Sequence, residues 1–139
     1  MHKINWKIHL KSSPQKVYEF LSTDSGREKF WAESCIEENG YVHFKFINGQ
    51  EYIAKILVNS PSFFELEYCN SIVKFEMLPA DMGGTDLILN NYGVSDEDYL
   101  DNYAGWLSVL FALKGAVDFG IDFRNHDPQR TWDNHFVEN

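Results

Sequence analysis

SDEDYLDNYAGWLSVLFALKGAVDFGI, residues 95–121, reads as one long amphipathic helix. Tyr99, Tyr103, Trp106, Leu110, Leu113 and Val117 recur at steps of four, three, four, three and four, the spacing of a single helical stripe. Leu100, Leu107 and Phe111 are expected to widen that stripe on one flank. Ser95 is placed to cap the start, with Asp98 as the acidic half of a capping box. Asp96, Glu97 and Asp98 suit the positive end of the helix dipole, and Gly120 marks a stop. A helix of about 24 residues extends about 36 Å.

The segments before this helix read as short strands. Residues 3–11 alternate, with Ile4, Trp6, Ile8 and Leu10 on one face and Asn5, Lys7, His9 and Lys11 on the other. Ser12, Ser13 and Pro14 announce a first short helix with Val17, Phe20 and Leu21 on its apolar edge. Ser22 to Gly26 should break it, and a second short helix is expected over Arg27–Trp31, turning Phe30 and Trp31 inward. From Ser34 the pattern is β for nearly 60 residues. Asn39-Gly40 and Asn48-Gly49 are hairpin signals. Val42, Phe44 and Phe46 form one inward row, followed by Tyr52, Ala54, Ile56 and Val58. Phe64, Leu66 and Tyr68 come next, then Val73, Phe75 and Met77, then Leu87 and Leu89. The even spacing of these segments suggests an antiparallel meander. A sheet with one apolar face must cover it, and the long helix is the element of matching length.

The 139 residues suit one domain with one core. The division expected is residues 1–121 as that domain and 122–139 as a C-terminal tail packed on it. Eleven Phe, seven Tyr and four Trp bring the aromatic fraction to 16%, which implies either a large core or a cavity lined with rings. The net charge of −9 argues against nucleic acid and anionic membranes as partners. No apolar run reaches the roughly 18 residues of a membrane span, and the N-terminus lacks a signal-peptide core, so a cytoplasmic location is expected. Cys35 and Cys69 have no metal-site spacing and read as small buried hydrophobes.

The order of strand, two short helices, antiparallel strands and long helix resembles the α+β helix-grip fold of the START-like (SRPBCC) superfamily. In that fold a curved antiparallel sheet wraps a long C-terminal helix. Within it the chain resembles the family named for activators of the ninety-kilodalton heat-shock-protein ATPase. The resemblance rests on Pro14-Gln15-Lys16-Val17-Tyr18-Glu19-Phe20 at the first helix, Trp31 closing the second, and Asn48-Gly49 in a hairpin. Val58 with Pro61, Gly84-Thr85-Asp86-Leu87, and Gly105-Trp106 followed by Leu110 and Leu113 complete it. It covers roughly residues 4 to 121. Two positions depart: Asn39-Gly40 stands where paired glycines are common, and Tyr68 replaces a frequent Trp. The family's chaperone-stimulating activity is not carried over. The resemblance implies a pocket between sheet and long helix for a small hydrophobic or amphipathic molecule, with no cofactor and no metal. The candidate lining residues are Phe20, Trp31, Phe44, Phe46, Tyr52, Phe64, Tyr68, Phe75, Leu87, Tyr99, Tyr103, Trp106, Leu110 and Leu113.

No catalytic residue is assigned, because His9 and His43 fall on polar faces and no Ser–His–Asp or phosphate-loop pattern occurs. Asp118 and Asp122, near the helix end, are expected to face water. His126, Asp127 and His135 match no known metal spacing. The tail is expected to be held by Trp132, closing one mouth of the pocket or meeting a second subunit in a homodimer. Two rivals to ligand binding stand: an enzyme of the same superfamily, and a protein-interaction module with a closed core and an exposed apolar patch.

Overall fold

The structure, a computed structural model, describes residues 1–138; Asn139, the last residue of the expected tail, lies outside them. Strand β1 is His2–Leu10, followed by helices α1 (Pro14–Ser22) and α2 (Asp24–Arg27). Then come β2 (Ser34–Glu38), β3 (Tyr41–Lys45), β4 (Glu51–Asn59), β5 (Phe63–Tyr68), β6 (Ser71–Pro79), β7 (Thr85–Val94) and helix α3 (Tyr99–Phe119). The seven strands form one antiparallel sheet in the order β1-β7-β6-β5-β4-β3-β2. The meander runs as expected, and the first strand closes it by pairing with the last, Ile4 opposite Asn91 and Leu10 opposite Thr85. This is the α+β helix-grip arrangement the sequence resembles. Ile4, Leu10, Val42, Phe44, Ala54, Phe64, Leu66, Val73, Phe75, Leu87 and Leu89 are buried on the inner face.

Five local expectations are corrected. The second short helix lies at Asp24–Arg27, three residues early. Thr23 caps it by accepting from the Gly26 N–H at 3.0 Å. Gly26 read as a breaker, yet a Cβ there would stand 2.5 Å from Phe20 Cα, so the glycine lets α2 fold directly against α1. Phe30 and Trp31 still turn inward, from the turn that follows. Val58 was expected inside but is 41% exposed, because a bulge after Ile56 shifts the register against β5.

The third and fourth corrections concern α3. It starts at Tyr99, and Asp98 makes no side-chain cap. Ser95 and Asp98 do bond each other, in the turn before the helix: Asp98 N–H donates to Ser95 Oγ at 3.2 Å. Trp106, Leu110, Leu113 and Val117 are buried, but Leu100, Leu107 and Phe111 face solvent, at 75%, 36% and 60% exposure. At 100° per residue they lie about a quarter turn or more from the buried line, beyond the reach of the sheet. The helix ends at Gly120, whose φ of 65° needs no Cβ accommodated.

Asp118, expected in water, instead clamps the helix end. It accepts from Lys11 N–H (2.8 Å), Ser12 N–H (3.0 Å) and Ser12 Oγ (2.8 Å). Burial alone would raise its pKa, but these donors and the Lys114 ammonium outweigh burial and lower it.

Candidate functional site

The space between sheet and α3 is occupied by aromatic side chains. Trp31 sits at its centre, with ring centroids 4.9 Å from Phe44, 5.5 Å from Tyr68, 5.6 Å from Phe75 and 6.0 Å from Trp106. Tyr68 stands 5.3 Å from Trp106 and 5.9 Å from Tyr52, and Phe46 stacks 5.9 Å from Phe44. These are the separations of tilted and edge-to-face ring pairs. Phe64, Leu87, Leu110 and Leu113 complete the same core.

Three of the candidate lining residues lie at the margin of this core. Phe20 is half-buried on α1 with the Lys29 ammonium 5.2 Å from its ring. Tyr99 stacks on His2 at 4.2 Å, and Tyr103 packs against Trp6 at 4.8 Å while remaining 38% exposed. Both tyrosines belong to the flank where α3 meets β1.

A polar seam crosses the core. Asn91, wholly buried, accepts from Trp106 Nε1 at 2.9 Å and from Asn102 Nδ2 at 3.3 Å. It donates to Ser71 Oγ at 2.8 Å and to the Ile72 carbonyl at 3.0 Å. All four bonding positions of the amide are thereby used. Sequence reasoning missed Asn91, because a polar residue at an inward strand position carries no hydrophobic signal. Tyr68 hydroxyl accepts from Trp31 Nε1 at 3.2 Å. Burial drives the Tyr68 phenol well above its ordinary pKa and pushes the Cys35 thiol up to about 12, so both stay neutral.

One end of this core is covered by the segment after α3. Phe123 lies on Gly115, where a Cβ would come within 2.6 Å of its ring. Arg124 donates to the Ala32 carbonyl at 3.0 Å and the Glu28 carbonyl at 2.6 Å, and pairs with Asp122 at 2.9 Å. His126 bridges Glu33 (2.6 Å) and Asp122 (2.7 Å). With a carboxylate on each ring nitrogen, the imidazolium is the form that donates to both. Burial would lower the His126 pKa, but the two carboxylates outweigh it and raise it. Burial would raise Asp122, but Arg124 and His126 hold it at about 2. Trp132 packs edge-on against Phe46 at 5.9 Å and stays 42% exposed, so Arg124, with a side chain only 7% exposed, is the more deeply seated anchor.

Between Trp31, Phe46, Arg124 and Trp132 a recess of about 20 Å³ remains, room for a single water. A larger open depression of about 360 Å³ lies outside, over Tyr52, Glu67, Ser71 and Tyr92. Neither is lined by a residue of α3. Under the long helix the rings of Trp31, Phe44, Tyr68, Phe75 and Trp106 pack against one another.

No family model matches the sequence, and no curated protein matches it. Solved structures do. A protein of Staphylococcus saprophyticus superposes with a TM-score of 0.76 at 16% identity, over 88% of this chain and 96% of that one. The Aha1 dimer of Colwellia psychrerythraea gives 0.74 at 22% identity, over 86% and 98%. A conserved Enterococcus faecalis protein of unknown function gives 0.71 at 19% identity, over 98% and 82%. Sequence identities this low speak for architecture alone: the chain has the helix-grip fold.

Proposed function

We propose that the protein binds a small apolar or amphipathic molecule, in the cytoplasm, in the space between sheet and α3 that Trp31 now fills. The observation that carries this is a ring-lined interior with the Tyr68 hydroxyl inside it, a polar group that Trp31 Nε1 now engages and that a displaced Trp31 frees for a ligand. Pockets for small molecules are mostly apolar with a few convergent polar groups that orient the ligand. Trp31 belongs to neither the sheet nor α3. It comes from the turn after α2, beside the recess closed by Arg124 and Trp132. Binding there requires Trp31 to swing aside while the sheet and α3 stay in place.

Displacing a packed Trp costs about 3–5 kcal/mol on the scale of Trp truncation. Apparent affinity is then about a hundred- to a few thousandfold weaker than for a preformed pocket. A panel of fatty acids and aromatic probes should raise the melting temperature of the wild type. Trp31→Ala, which opens the space in advance, should bind the same probes more tightly. A panel that shifts only Trp31→Ala would reveal an engineered cavity and refute the proposal.

A second reading, self-association, is favoured by the closed core together with the apolar residues that α3 leaves outside. The Colwellia protein is a dimer.

A further inference from the structure

From Tyr99 to Leu113 the sole charged residue is Asp101, in a chain whose net charge is −9. Helix α3 is thus apolar on its outer face as well as its inner one. Leu100 (75% exposed), Leu107 (36%) and Phe111 (60%) stand in one row at steps of seven and four. Phe123, 50% exposed, extends the row by packing on Gly115, one turn beyond Phe111. Beside this bulky row lie Ala104 and Ser108, both small, and Gly105 follows further round the helix beyond Asp101, with Ala104 and Gly105 exposed. Nothing stands within 4 Å of a Cβ built on Gly105. A glycine inside a helix weakens it, and within this subunit no neighbour needs the missing side chain. Gly115 differs, because Phe123 fills its space.

We infer that this face is the interface with a second copy of the same chain, α3 packing against α3 across a two-fold axis. The inference rests on the self-association reading above and gives that association its surface. A ridge of large side chains beside a groove of small ones is self-complementary when the partner helix is turned over, ridge into groove on both sides. Two chains of charge −9 repel, so their contact must lie where charge is sparse, and this face carries one carboxylate. The exposed parts of Leu100, Tyr103, Leu107, Phe111 and Phe123, with the small residues between, amount to roughly 600 Å² per subunit, taking about 150–250 Å² for a whole aromatic side chain. Two copies then bury roughly 1,200 Å², the lower end of a specific interface. A membrane surface is a poor occupant, since helices that lie on bilayers flank their apolar face with several Lys and Arg, whereas α3 has Lys114 alone, and that ammonium is held by the His9 carbonyl and Asp118.

Sedimentation velocity across about 1–100 µM tests this, a span that covers micromolar affinity. The wild type should be dimeric at the upper end. Leu100→Asp and Phe111→Asp should each give a monomer with unchanged circular dichroism. Leu100 is largely exposed in the first turn, where a carboxylate suits the helix dipole, so this variant folds. Ile53→Asp, on the exposed outer face of β4, should remain dimeric. Gly105→Ala should raise the melting temperature of the monomer and weaken association by about tenfold. A wild type monomeric throughout would overturn both the interface and self-association. A dimer untouched by both aspartates would leave self-association standing and overturn the interface.

Discussion

Replacing Asn91 by Leu should show how much the polar seam holds α3 to the sheet. The substitution keeps the branched shape while adding bulk, and it removes four hydrogen bonds at once. Asn102 is half-buried and can turn to water, and the Ser71 hydroxyl keeps its bond to the Tyr68 carbonyl. The group with no alternative is Trp106 Nε1–H, in a side chain 3% exposed. An orphaned buried donor costs about 1–3 kcal/mol, so Asn91→Leu should lose that amount. Trp106→Ala, which empties the largest ring on α3, should lose about 3–5 kcal/mol, much of a total of about 5–15 kcal/mol. In a Trp106→Phe background the indole donor is gone, and Asn91→Leu should then cost close to nothing. The two sites should therefore couple by about 1–2 kcal/mol in a double-mutant cycle. Urea unfolding followed by circular dichroism measures each corner. Additivity within about 0.5 kcal/mol would refute the seam as the tie between α3 and the sheet.

Other outcomes follow from the same geometry. The raised His126 pKa contributes stability to the tail that is complete below about 6.5 and lost as pH climbs through the folded value, while Asp122, held at about 2, contributes above about 3.9 and loses it as pH falls towards 2. Amides of Arg124–Arg130 should therefore be best protected from exchange near pH 5–6, after correction for intrinsic rates, and a flat profile from pH 4 to 8 would contradict the His126 bridge. Gly26→Ala, favourable by helix propensity, should instead destabilise by about 1–3 kcal/mol, because its Cβ meets the Phe20 backbone; a stabilised variant would show that α1 and α2 can separate freely. Cys35 and Cys69, with thiol pKa values pushed to about 12 and about 11 by burial, should resist alkylation at pH 8 until the protein unfolds. Rapid labelling of Cys35 in native protein would mean that β2 opens readily.

The sheet was legible because most of its strands alternate. Ile4 and Leu10, Val42 with Phe44, Phe64 with Leu66 and Val73 to Met77 lie inside as the period of two requires, with Trp6 and Ile8 half-buried on the same face. Gly120 was legible because only a left-handed residue ends such a helix easily. Periodicity reports which residues of a helix are apolar and says nothing of how many faces are covered, so Leu100, Leu107 and Phe111 were placed inside. It is also blind to polar residues that earn their burial through bonds made far along the chain, as Asn91 and Asp118 do. Cavity volume was illegible for a related reason. Ring residues fill a space as readily as they line one, and whether Trp31 plugs the interior depends on a turn whose geometry Gly26 sets.

The pairing of β1 with β7, and the grip of Asp118 on amides 107 and 106 positions upstream, also govern how this chain can be made. During synthesis Ile4, Trp6, Ile8 and Leu10 emerge before their partner strand and wait for it, some 80 residues behind them, roughly 4–16 s at about 5–20 residues per second. Until then an apolar strand is exposed with an unpaired edge, and folding dominated by such distant pairings takes about milliseconds to seconds even from the complete chain. Ribosome-bound fragments ending before β7 should be the species that chaperones hold or proteases cut, and the released chain the first that resists them.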